Sequence, residues 1–281
     1  MKFGLIGHPI EHSLSPALFK AGKVGMKPYD HIIIEDFEEA YRRFLDEYDG
    51  INVTAPFKEL ALRKADIVSE ECRLVGAANI LIKTPQGITA YNSDFRGVVA
   101  IFRGLKGDEK RTPFATSSLL PPAARGVARF FHPLSDHEKT VLIVGAGGAG
   151  KAAKAAAEAM GYETTVINRT QYNPEIKPLS AFREEFRKAD IVIYNLPVRL
   201  PEIDLMTEAD LCPGKEKVIL EANYRNPSFD KGAIQRMVTM NPLIRYIDGR
   251  EWLLQQAVTG YELFTGKTPD CEAMKAVIKS K

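Results

Sequence analysis

The segment from Thr140 to Gly150, TVLIVGAGGAG, limits the possible folds of this chain more than any other. A β-branched apolar run enters a set of glycines directly, and the alanine-rich stretch Lys151 to Met160 follows, so the order reads strand, tight turn, helix. Gly145, Gly147 and Gly150 have the G-x-G-x-x-G spacing, with Gly148 and Ala149 inside the same turn. In that pattern the first glycine makes the turn, the second admits a pyrophosphate and the third lets helix meet strand. The helix N-terminus presents free N–H groups and a positive dipole end to the phosphates. Gly145 to Lys151 also fits G-x-x-x-x-G-K, but a triphosphate-binding loop needs a hydroxyl for magnesium at the next position, and this chain has Ala152. About twenty residues on, where a second strand (Thr164 to Asn168) ends, an NAD enzyme usually places a carboxylate on the ribose. Here the residues are Asn168, Arg169 and Thr170, and a guanidinium with two small polar groups suits a 2′-phosphate. The expected cofactor is NADP.

A chain of 281 residues has room for two domains with real cores. No apolar run is long enough to cross a membrane. The start, Met1 to Gly7, lacks the long apolar region of a signal peptide and reads as a first strand, so the expected compartment is the cytoplasm. Cys72, Cys212 and Cys271 are widely spaced and suggest neither a disulfide framework nor a metal site. The 38 basic and 36 acidic residues are interspersed, which leaves no footprint for nucleic acid. The expected partner is a small molecule, with the chain a monomer or homodimer.

The first third alternates strand-like and helix-like segments: strand at 2–7, helix at 15–25, strand at 29–35, a helix at 36–48 with Asp36 as N-cap, and strand at 51–54. Helix follows Pro56, and strands at 79–83 and 88–91 flank the hairpin signal Pro85-Gln86-Gly87. Residues 106–137 break the pattern and are expected to be a linker or insert. Beyond it, strands are expected at 164–168, 189–195, 217–223 and 244–248, and helices at 182–188, 249–266 and 269–281. The stretch from Thr170 to Ser180 is too short for a crossover helix plus strand, so this half should be smaller than the six-strand form. The fold class is α/β with two domains: a substrate domain at 1–105, with 250–281 packing back, and a reduced Rossmann-type domain at 138–249.

Four polar items stand in the first domain. Ser13-Leu14-Ser15-Pro16 is ordinary helix-start chemistry, with Ser15 as N-cap and Pro16 at the first helical position. Asn52-Val53-Thr54-Ala55-Pro56-Phe57-Lys58 leads from a strand to a lysine one turn into the next helix, and a lone lysine is usually a solvated group. Gly76-Ala77-Ala78-Asn79 and Asn92-Ser93-Asp94 each sit at a strand edge, where Asp94 could cap a helix beginning at Phe95.

Together, beside a dinucleotide turn, these items resemble the shikimate dehydrogenase family across most of the chain. The resemblance implies that Ser13 and Ser15 bind a substrate carboxylate. It implies that Asn52, Thr54, Asn79, Tyr224 and Gln256 contact a hydroxylated ring, and that Lys58 and Asp94 are the catalytic pair. It places the NADP loop on Gly145 to Ala149 and a phosphate clamp on Asn168 to Thr170. Ketone reduction needs a hydride donor, a proton for the alkoxide and a fixed ring, and Lys58 as ammonium suits the proton. Departures fall at Phe19, where the family commonly has histidine, and at Asn195-Leu196-Pro197-Val198. Further departures are Gly249-Arg250-Glu251-Trp252, with Trp252 expected against the nicotinamide, and the segment after Thr170, which lacks a basic residue and much of a helix. Lys151 could supply some of that charge. The expected activity is reversible reduction of 3-dehydroshikimate to shikimate. The alternatives are a quinate/shikimate dehydrogenase of relaxed specificity and a non-catalytic shikimate-binding homologue, against which the retained Lys58 and Asp94 argue.

Overall fold

The computed structural model describes residues 1–11, 13–22, 29–105 and 139–280; the insert expected at 106–137 and the far end of the helix expected at 15–25 lie outside them. The described residues form two compact units, one made of the chain up to residue 105 with everything from Leu254 onward, the other ending at Leu253.

The first unit runs β1 (Phe3–Gly7), α1 (Ser15–Ala21), β2 (Tyr29–Ile33), α2 (Phe37–Glu47), β3 (Gly50–Val53), α3 (Lys58–Arg63), β4 (Ile67–Val68), α4 (Glu70–Val75), β5 (Ile80–Thr84), β6 (Gly87–Tyr91) and α5 (Ser93–Leu105). Its sheet has the order β2-β1-β3-β5-β6-β4, with β1 parallel to both neighbours and buried at every residue. An unbroken apolar strand is what a sheet covered on both faces requires. The direction reverses at β3–β5, which is antiparallel, as is the β5–β6 hairpin. α2 starts as its sequence dictates: Asp36 Oδ1 accepts from the Glu39 N–H at 2.8 Å, and Phe37, Ala40 and Phe44 go into the core. α1 differs from expectation. Ser15 is its first helical residue rather than its cap; the cap position is Leu14, with no side-chain cap bond, and Ser13 Oγ accepts the Ser15 N–H at 3.2 Å just ahead of the helix.

The second unit runs β7 (Thr140–Val144), α6 (Gly148–Ala159), β8 (Glu163–Asn168), β9 (Lys177–Pro178), α7 (Phe182–Lys188), β10 (Ile191–Tyr194), α8 (Glu208–Leu211), β11 (Lys217–Glu221), α9 (Lys231–Met240) and β12 (Ile244–Ile247). All neighbours are parallel, in the order β12-β11-β10-β7-β8-β9, which is the strand order of the six-stranded dinucleotide-binding sheet. The expected reduction is of a helix, while the strand count stays at six. Lys177 and Pro178 pair with Ile167 and Asn168 as a two-residue sixth strand, and what is missing is the helix before it. On one side of this sheet Phe182, Tyr194 and Phe229 meet edge to face, with Tyr194 and Phe229 centroids 5.3 Å apart.

The chain passes from the second unit into the first within α10 (Gly249–Thr265), and α11 (Cys271–Lys279) then packs on α1, where the Asp270 N–H donates to the Gly22 carbonyl at 3.3 Å. Among the described residues no helix is long and apolar enough to cross a membrane, and no His, Cys, Asp and Glu cluster could hold a metal ion. The three cysteines are free thiols.

Candidate active site

The polar items of the first unit gather where strands hand over to helices. Lys58 is the first residue of α3, and its Nζ lies 2.6 Å from Asp94 Oδ2, with the side chains 17% and 5% exposed. An ion pair this enclosed is screened far less than a surface one, and removing one partner would strand the other's charge. Asp94 is available for it because it does not cap α5, contrary to the plainer reading of its sequence position. Asn92 Oδ1 accepts the Phe95 N–H at 3.0 Å, while Asn92 Nδ2 donates to the Ala77 carbonyl at 2.9 Å. Asn79 Oδ1 takes the Ser93 N–H at 2.7 Å and the Ser93 hydroxyl at 3.2 Å. The start of α5 is thus tied to the segment entering β5 from two directions, which fixes the Asp94 carboxylate against Lys58.

The other expected substrate groups lie in the same unit. Ser13 Oγ donates to Ser15 Oγ at 3.1 Å, placing two hydroxyls side by side. Thr54 is partly buried, and its backbone carbonyl accepts the Phe57 N–H at 3.0 Å in the turn leading to Lys58. Asn52 Oδ1 accepts from the Tyr29 hydroxyl at 2.8 Å. Tyr29 escaped the sequence reading, since an aromatic at a strand start is unremarkable by spacing. Burial raises its phenol above the ordinary value, the Ser15 hydroxyl pulling the other way. Its ring stacks on Phe19 at 4.5 Å, and Phe19 also meets Tyr261 and Phe264 of α10, so that position belongs to the core. Gly260 makes this arrangement possible: a Cβ there would lie 3.1 Å from Phe19 Cζ and 3.6 Å from Asn52 Nδ2. Gln256, one turn earlier on α10, is partly buried.

In the second unit the glycine turn has the geometry its spacing predicts. Gly145 has φ +98°, a region that favours glycine, and a Cβ on Gly150 would lie 1.9 Å from the Gly145 carbonyl oxygen. Gly147 and Gly148 are exposed, and nothing lies within 4 Å of where a Gly147 Cβ would stand, which leaves the room a pyrophosphate requires above the first turn of α6, where Ala149 lies. The residues present therefore fit a dinucleotide. Leu196 Cδ2 packs against the turn at 3.0 Å from the same construction on Gly145. Asn168 behaves differently from a direct clamp: its Oδ1 accepts the Ala146 N–H at 3.3 Å and its Nδ2 donates to the Thr170 carbonyl at 2.9 Å, so the amide braces the turn. Arg169 and Thr170 are exposed beside it.

Tyr224 is partly buried in the loop after β11, which is held by Glu221: its carboxylate takes the Ser228 N–H at 2.5 Å, the Phe229 N–H at 3.1 Å and the Tyr246 hydroxyl at 2.9 Å. Trp252 is enclosed by protein at 1% exposure, with no ring face open to a nicotinamide, because a large apolar ring at a helix start is drawn into the interior.

A family model described as the shikimate dehydrogenase substrate binding domain matches residues 5–81, and one described as the D-isomer specific 2-hydroxyacid dehydrogenase NAD binding domain matches residues 126–244. The shikimate dehydrogenase (NADP(+)) of Bacillus licheniformis is 27% identical over 98% of this chain and 95% of its own length. The shikimate dehydrogenase of Thermotoga petrophila is 33% identical over 60% of this chain and 56% of its own. Among solved structures, Thermus thermophilus shikimate 5-dehydrogenase in complex with shikimate superposes with a TM-score of 0.71 at 25% identity, covering 100% of this chain and 98% of that one. The substrate-domain match from β1 into β5, the end-to-end likeness to these dehydrogenases and the Lys58–Asp94 pair make the chain similar to shikimate dehydrogenases along its whole length.

Proposed function

We propose that this chain catalyses the reversible, NADP-dependent reduction of 3-dehydroshikimate to shikimate. The observation that carries the reading is the enclosed Lys58–Asp94 pair at 2.6 Å, within a unit whose other inward polar groups suit a hydroxylated carboxylic acid. The relatives named shikimate dehydrogenase (NADP(+)) support it over nearly the whole chain length. NADPH, when bound along the glycine turn, supplies the hydride. Lys58 as ammonium donates a proton to the oxygen that becomes the alcohol, and Asp94, 2.6 Å away, keeps it aimed. The adjacent Ser13 and Ser15 hydroxyls receive the substrate carboxylate, while Asn52, Thr54, Asn79 and Gln256 order the ring. In the oxidative direction Lys58 takes the proton back.

The reading is tested by following the reduced-nicotinamide absorbance with shikimate and with quinate, each against NADP⁺ and NAD⁺. Turnover of shikimate with NADP⁺, lost in Lys58→Ala, is the expected result. Preferred turnover of quinate would replace the substrate assignment. Silence in all four mixtures, with shikimate still binding by calorimetry, would make the chain a binding protein.

A further inference from the structure

Between β8 and β9 a doubly wound unit places a helix on the same face as the one before it, but here residues 169–176 cross without one. The flank of α6 is consequently left open, and a cleft of about 530 Å³ occupies the space, lined by Gly150, Lys151 and Lys154 on one wall and by Tyr172 and Asn173 on the other. The cleft begins at the glycine turn. The Tyr172 hydroxyl donates to the Ala146 carbonyl at 3.2 Å, which fastens the loop across the turn while the residue stays 59% exposed.

A 2′-phosphate carries close to two negative charges and wants more than one cation. Arg169 is the single positive side chain between Asn168 and Ile176. Asn168 is committed to bracing the turn, Asn173 Oδ1 accepts the Glu175 N–H at 2.9 Å, and Glu175 adds a negative charge. The cations on the cleft wall are Lys151 and Lys154. Lys151 follows Gly150 directly at the turn end of the cleft, and Lys154 lies further along α6, 2.5 Å from Glu158, which lines the cleft as well.

We propose that the cleft receives the phosphorylated ribose of the dinucleotide and that Lys151, beside Arg169, supplies its second positive charge, with Tyr172 as the wall. Preference for NADP over NAD is then set from α6 rather than from the β8–β9 connection. This rests on the dinucleotide reading of the glycine turn.

The test is calorimetric titration of the full chain with adenosine 2′,5′-bisphosphate, NADP⁺ and NAD⁺, for the native protein, Lys151→Gln and Lys154→Gln. Lys151→Gln is expected to weaken the bisphosphate and NADP⁺ roughly tenfold or more while NAD⁺ changes less than about twofold, and Lys154→Gln, further along the same wall, to weaken the bisphosphate and NADP⁺ by less than about threefold. Retained NAD⁺ binding shows that the variant is folded. Unchanged bisphosphate affinity in Lys151→Gln, or equal weakening of NADP⁺ and NAD⁺, would overturn the proposal while leaving the dinucleotide site standing. A native protein that binds neither nucleotide would overturn both.

Discussion

In the first unit the candidate site is made of side chains, and in the second it is made of backbone. Lys58, Asp94, Asn79 and the two serines offer the proposed substrate site their side-chain polar atoms. The glycine turn contributes absences of side chain at Gly145, Gly147 and Gly150 and the N–H groups they uncover. The family comparisons divide the same way, residues 5–81 matching a domain specific to shikimate dehydrogenases and 126–244 matching a dinucleotide domain from another dehydrogenase family. A site that recognises one ring leaves a specific residue signature, whereas a pyrophosphate cradle can be shared by enzymes of unrelated substrates.

The contrast can be broken from the side-chain end first. Lys58→Ala should lower kcat by roughly 10²- to 10⁴-fold with NADP⁺ affinity unchanged, read by single-turnover kinetics beside nucleotide titration. A fall of less than tenfold would remove Lys58 from proton transfer. From the backbone end, Gly150→Ala puts a methyl 1.9 Å from the Gly145 carbonyl oxygen and should destabilise the second unit by about 2–4 kcal/mol and abolish NADP⁺ binding. Shikimate binding should survive it, and joint loss would mean that the two sites are not separable. Asn92→Ala sharpens the division within the first unit. It removes the α5 cap and the Ala77 bond, for about 1–2 kcal/mol in urea denaturation, and should raise KM by loosening Asp94 rather than by removing a contact.

The smallest effect concerns Glu262 on α10, whose Oε1 finds no partner among the described residues. Burial pushes its carboxyl up to about 7, with the Arg96 charge pulling weakly downward. The folded chain then holds a proton that the unfolded chain releases near 4.5, so stability falls as pH rises between these values. Glu262→Gln should be neutral at pH 4.5 and more stable than the native protein by about 1–2 kcal/mol above pH 7, measured by thermal unfolding across that range. A constant difference at all pH values would show that the carboxyl titrates normally.

The parts of this molecule that could be read from sequence are those in which a short segment decides its own geometry. The glycine turn and the Asp36 cap are of that kind. The choice between Asn92 and Asp94 as cap was not, because both are good capping residues and only the three-dimensional placement of Lys58 and Ala77 separates them. The sixth strand of the second sheet is two residues long, too short for any periodicity to announce it. Tyr29 reaches Asn52 across 23 positions, a pairing that arises from the parallel neighbours β2, β1 and β3 and leaves no mark in either local sequence.

Gly260 carries a consequence for how such an enzyme can diverge. A methyl at that position would press on the Phe19 ring edge at 3.1 Å while meeting the Asn52 amide at an ordinary contact distance of 3.6 Å. One mutational step would therefore alter the packing of α1 against α10 directly, and would reach the amide proposed to order the ring only through that shift. A lineage that changes this position therefore re-packs the aromatic neighbourhood first, and the amide beside it follows.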